Sequence, residues 1–232
     1  MANREKYKPP KSSKGDKAHM IARAGLQTIP IAGGAAAEFF NAIISPPLEK
    51  RRQEWMEEVA ECLRKLEESK GISLDDLIMN EVFTTTVMQA SQSAIRNHQK
   101  EKIDALRNAV LNAALPTSPN DSLQQMFLNF VDTFTVWHIR LLKFFDNPAE
   151  GIKAKGLNLG NITMGGLSHI LEEAFPELKG ERAFYDQVWK DLYSRGLVNT
   201  EGLHTMMSGS GLMAQRATPM GRQFIEFITS PI

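Results

Sequence analysis

Histidine, cysteine and paired acids are the side chains in this 232-residue chain that could bind a metal or move a proton. Their spacing leaves them little chemistry to do. His19, His98, His138, His169 and His204 include no pair one helical turn apart and no His-Glu-x-x-His run, the arrangement a helical zinc site needs. The single cysteine, Cys62, can build neither an intramolecular disulfide nor a thiolate zinc site. Glu57-Glu58 and Glu172-Glu173 are sequence neighbours, so on a helix their carboxylates diverge and make poor acid–base pairs. Ser194 and Ser208 have glycines nearby, but neither lies in the Gly-x-Ser-x-Gly turn that exposes a nucleophile. No phosphate loop ending in Gly-Lys-Ser/Thr is present, and residues 156–166 do not match a dinucleotide fingerprint. The expectation is a chain with no catalytic, cofactor-binding or metal-binding residues, acting through its surfaces.

Composition narrows which surfaces those are. Lys+Arg and Asp+Glu both number 27, so the chain as a whole exerts no pull on nucleic acid or acidic lipid. With 42% hydrophobic and 23% charged residues it has an ordinary soluble composition. Its length suits one large domain or two small ones. One cysteine fits a reducing, cytoplasmic setting, with a peripheral place at a membrane as the alternative.

The most apolar stretch is residues 22–45, behind a lysine-rich leader at 1–20 that has too few apolar groups to order itself. A membrane-spanning helix needs about 20 mostly apolar residues. Arg23, Gln27, Pro30 and Glu38 interrupt this one. Its place and flanks also do not match a secretory signal. A buried helix or hairpin is the expected state. The alternative is a membrane-engaging or self-associating segment using Ile29, Ile31, Gly33, Gly34, Phe39 and Phe40, since small residues permit close approach.

Ser45-Pro46-Pro47 should break the chain, with a helix opening near Leu48. Leu48, Trp55, Val59, Cys62 and Leu66 then form one apolar stripe suited to an antiparallel helix inside the fold. Ser73 and Asn80 read as helix starts. An alanine-rich run with spaced apolar residues covers 90–114, and after the 116–121 loop Asp121 or Ser122 should cap a strongly apolar helix over 123–146, broken near 133–135. Further helices are expected at 166–175, 182–195 and from Thr218-Pro219, with two strands flanking the Ser208-Gly209-Ser210-Gly211 turn.

Asp191-Leu192 with Ser194-Arg195-Gly196-Leu197-Val198, followed by Thr218, Gly221, Arg222 and Phe224, resembles winged-helix domains over about residues 133–232. The whole chain is also similar to a family of bacterial helical proteins with a Gly/Ala-rich apolar segment. The likeness rests on Gly33-Gly34-Ala35-Ala36, Pro46-Pro47-Leu48-Glu49-Lys50-Arg51-Arg52, and residues 105–114 and 184–197. It implies a bacterial origin and no particular activity.

The expected fold is therefore mainly α. A leader (1–20) and an apolar segment (21–45) precede a helical region (46–132) and a winged-helix-like module with a small β-hairpin (133–232). If that module followed its resemblance, the 182–195 helix would read a DNA groove. Its Arg182, Gln187, Lys190 and Arg195 are opposed by Glu181, Asp186 and Asp191, while Arg216 and Arg222 add cations at the wing and last helix. Near-balanced charge favours a protein partner or self-association. DNA binding as a winged-helix regulator is the alternative. A membrane-associating effector, in bacterial antiviral defence, is the second.

Overall fold

The computed structural model describes residues 34–157 and 163–232, with side-chain surroundings given for Ile44 and from Pro47 onward. The leader, Ile29, Ile31 and Gly33 lie outside the described residues, as does Gly160. Gly34, Phe39 and Phe40 fall on a helix, in a part whose side chains are not described. The described chain is mainly α, with eleven α-helices and one two-stranded antiparallel sheet. It divides into two compact units between His98 and Gln99. Among the described residues no helix is long and apolar enough to cross a membrane.

The first unit holds α1 (Gly34–Lys70), α2 (Leu74–Ile78) and α3 (Glu81–Arg96). The expected break at Pro46-Pro47 does not occur: α1 runs through both prolines. Each proline withholds a backbone donor, at about 3 kcal/mol in a helix interior. Their fixed φ is still helical, and the charged stretch after them is rich in good helix formers that propagate the helix once it is nucleated. Trp55, Val59 and Leu66 are buried as expected, Cys62 is half-buried, and Leu48 is exposed, so the stripe starts at Trp55. Trp55 Nε1 donates to Ser91 Oγ at 2.8 Å, tying α1 to α3. Gly71, at φ +66°, ends α1, and the Ser73 and Asn80 side chains cap α2 and α3 by accepting from the Asp76 and Phe83 amides.

The alanine-rich run 90–114 is divided between two helices. Asn97 turns to extended backbone and its side-chain amide donates back to Ser93 O at 2.8 Å, which stops α3. The second unit then begins with α4 (Lys100–Ala113) and α5 (Asp121–Thr133), the latter capped by Asn120, one residue before the expected cap. Phe134 and Thr135 are extended, giving the expected break before α6 (Val136–Asp146). Next come α7 (Pro148–Ala154), β1 (Met164–Gly165), α8 (Leu167–Ala174), a 3₁₀ turn at Pro176–Leu178, α9 (Arg182–Ser194), β2 (Met207–Ser208), the short α10 (Gly209–Leu212) and α11 (Pro219–Phe227).

Aromatic rings hold this unit together. Phe127 on α5 lies 5.3 Å and 5.8 Å from the Phe224 and Phe227 centroids of α11, and Phe145 on α6 meets Trp189 on α9 edge-on at 5.1 Å. Such pairs add about 0.5–1.5 kcal/mol each beyond burial. Asn108 and Asn112 on α4 donate to Ile228 O, Phe227 O and Thr229 O, satisfying the carbonyls at the C-terminal end of α11.

Several of the residues on which the winged-helix resemblance rests have a local reason. Gly196, at φ +69°, closes α9, with Leu197 N bonded to Leu192 O at 2.9 Å. Thr218 caps α11 and its hydroxyl donates to Gly196 O at 2.6 Å. A Cβ on Gly221 would stand 2.1 Å from Leu197 O, so only glycine admits this approach of α11. The expected strands around Ser208–Gly211 are arranged differently. Residues 209–212 form a helical turn with Ser208 accepting from Gly211 N, and β2 pairs with the distant β1. Val198 and Ala217 form a separate antiparallel bridge.

Candidate functional site

Helix α9 carries three of the six expected contact residues, Arg182, Gln187 and Lys190, with Arg195 as its C-cap. It is amphipathic by construction: Tyr185, Val188, Trp189 and Leu192, at steps of three, one and three, are all buried. Tyr185 OH donates to Glu172 at 2.8 Å, and Trp189 Nε1 donates to Thr200 O at 2.8 Å. These bonds fix the helix axially and rotationally. Its opposite stripe, Ala183, Gln187, Lys190 and Ser194, is exposed. Phe184 and Tyr193, exposed at 38% and 41%, stand on the two flanks of that stripe.

The polar groups beside the stripe are paired to one another. Asp186 Oδ1 meets His204 Nε2 at 2.8 Å and its Oδ2 meets Arg182 Nε at 3.4 Å. Asp191 Oδ1 accepts from Gln187 Nε2 at 2.7 Å, and Oδ2 stands 3.4 Å from His138 Nε2 on α6. The Arg195 guanidinium lies over Phe130 and Phe134, 5.1 Å and 5.2 Å from their centroids. Such a stack holds about 0.5–1 kcal/mol at an exposed site. Lys190 projects from the centre of the stripe.

Arg216 and Arg222 do not join this group. Arg216 turns inward, donating to Gly211 O and contacting Met207 Sδ, and its Nε has no hydrogen-bond partner among the described residues. Burial lowers its pKa from the usual arginine value. Arg222 sits exposed on α11.

No protein-family model, curated protein or solved structure matches the chain.

One constellation here lies outside the expectations from sequence. Thr135, His138 and Asp191 form a hydroxyl–imidazole–carboxylate series, with Thr135 Oγ1 2.9 Å from His138 Nδ1. The geometry makes it a clasp. Nδ1 accepts the Thr135 backbone N–H at 3.1 Å, so in the neutral ring Nε2 carries the proton and directs it at Asp191. With its lone pair committed to an amide, Nδ1 is a poor base for the threonine hydroxyl. The ring is 5% exposed and stacked on Phe134 at 4.5 Å. Burial pulls the His138 pKa below 6.5, against the opposing effect of Asp191, and nearby Arg195 adds to the lowering. The available signal was Thr-x-x-His, a variant of the capping box in which the third helical residue reaches back to the cap amide.

Elsewhere, a cleft of about 160 Å³ is bounded by Asn112, Ser118, Gln223 and Glu226 among others. Its most prominent donor, Asn112 Nδ2, is committed to the α11 carbonyls. Among the described residues no group of three His, Cys, Asp or Glu could hold a metal ion.

Proposed function

We propose that the protein is a non-enzymatic interaction or regulatory protein whose C-terminal unit is winged-helix-like and makes protein contacts through the outward face of α9. The order α6, β1, α8, α9 and then the Val198–Ala217 bridge, with the short α7 inserted after α6, supports the winged-helix likeness. The observation that carries the functional reading is that most of the expected contact groups on and near α9 are already engaged within the chain. Arg182 is paired with Asp186, Gln187 with Asp191, Arg195 is stacked on two rings and Arg216 points inward. A duplex is held by several cations that each neutralise a phosphate, and this face offers Lys190 at its centre and little else. A stripe with one cation, with Ala183 and Ser194 at its ends and an aromatic ring on either flank, suits protein surface.

Fluorescence anisotropy of a labelled random-sequence duplex, titrated with the full chain, tests the reading. At 50 mM salt the expected trace stays flat into the micromolar range. Binding that weakens steeply with salt and is lost in Lys190→Glu would replace the reading with that of a DNA-binding regulator.

A further inference from the structure

Resting on that reading, we infer that the partner for the α9 face is a second copy of this chain, packed antiparallel across a two-fold axis that passes between Gln187 and Lys190. The stripe residues 183, 187, 190 and 194 are spaced symmetrically about this point. A two-fold contact requires a surface that complements itself. In the antiparallel arrangement Ala183 comes opposite the partner's Ser194, so small residues meet at both ends and the helices approach closely. Gln187 lies beside the partner's Lys190.

The flanks match under the same operation. About 100° of rotation and 1.5 Å of rise per residue place Lys190 next to the partner's Asp186, and Gln187 next to the partner's Asp191. Tyr193 comes opposite the partner's Arg182, a ring against a guanidinium. A parallel pair would instead set Lys190 against the partner's Lys190. Charge therefore selects the antiparallel register. The chain's equal counts of 27 basic and 27 acidic residues leave no net repulsion between copies. A 13-residue helix is about 20 Å long, which places the contact at the small end of specific interfaces and makes the dimer weak and concentration-dependent.

Cysteine cross-linking of the full chain in a Cys62→Ser background tests this. Ala183→Cys and Ser194→Cys are made as separate proteins; both positions are exposed, and circular dichroism verifies folding. Two copies of residue 183 sit about 17 Å apart along the axis of the antiparallel pair, beyond disulfide reach. Mild oxidation should therefore cross-link the mixture at least several-fold more than either protein alone. Equal cross-linking of each single protein, or none in the mixture, overturns the inference. Sedimentation equilibrium supplies the second measurement: Lys190→Glu should weaken self-association at least tenfold, and an unchanged constant contradicts it. A chain that stays monomeric and also ignores the duplex sinks the two-fold dimer but leaves the protein-contact reading standing. Duplex binding through Lys190 removes both.

Discussion

His138 Nε2 on α6 stands 3.4 Å from Asp191 Oδ2 on α9, while the same ring's Nδ1 accepts the amide that opens α6. One imidazole thus caps a helix and steadies the helix whose outer face we assign to partner binding. The arrangement needs the neutral ring, because a proton on Nδ1 would displace the Thr135 amide.

The sign of the resulting pH dependence follows from the lowered folded pKa. Between that value and 6.5 the unfolded chain binds a proton that the folded chain does not. The stability that the neutral ring contributes is complete above about pH 6.5 and is lost as pH falls from there through the folded value. Urea midpoints measured from pH 7.5 to 5 should decline. His138→Gln keeps an acceptor at the capping position and removes the titration, so its midpoints should decline less. Equal slopes for the two proteins would deny His138 this part.

The alkaline counterpart lies on the other side of α9. Burial, reinforced by the hydrogen bond to Glu172, pushes the Tyr185 phenol up to about 12 from 10. Its contribution is present below pH 10 and lost as pH rises toward 12. Absorbance at 295 nm should show Tyr185→Phe lacking the last phenolate to appear in the folded protein. If the step that disappears is an earlier one, the Glu172 contact is misassigned.

Gly221 offers a contrast within one residue type. Gly221→Ala sets a methyl group where Leu197 O stands 2.1 Å away, so α11 must move, at about 3 kcal/mol. Gly202→Ala meets nothing within 4 Å and should shift the melting temperature by little. Similar melting temperatures for both variants would contradict the close approach.

Asn108 is the buried end of the α11 cap. Asn108→Ala leaves Ile228 O without its 3.1 Å donor and should cost about 1–3 kcal/mol. Hydrogen exchange should rise first in α11. Faster exchange spread evenly across the second unit would mean that the amide does not act locally.

Local signals carried well from residues to structure where the chemistry was local. Ser73, Asn80 and Thr218 cap the helices they precede, and the Trp55, Val59 and Leu66 spacing buries one face of α1. The failures involve competing terms. Pro46-Pro47 reads as a stop because each ring removes a donor, but strong helix formers downstream carry α1 through both. Ser208–Gly211 reads as a hairpin turn, yet the Ser208 hydroxyl caps a helical turn and β2 pairs with residues far away in sequence. That Arg182, Gln187 and Lys190 share one helix was legible, but the pairing around them was not. Asp191 reaches His138 across 53 positions and Asp186 reaches His204 across 18, contacts that no spacing rule supplies.

The central claim, that α9 binds protein and not nucleic acid, meets its most direct test in sedimentation velocity of the full chain over a wide concentration range. Wild type and Lys190→Glu would be run with and without a random-sequence duplex. The weight-average mass of the wild type should rise with concentration, to the same extent with duplex present, and that of Lys190→Glu should stay at the monomer value. A rise that occurs only with duplex, and that added salt abolishes, would contradict the account.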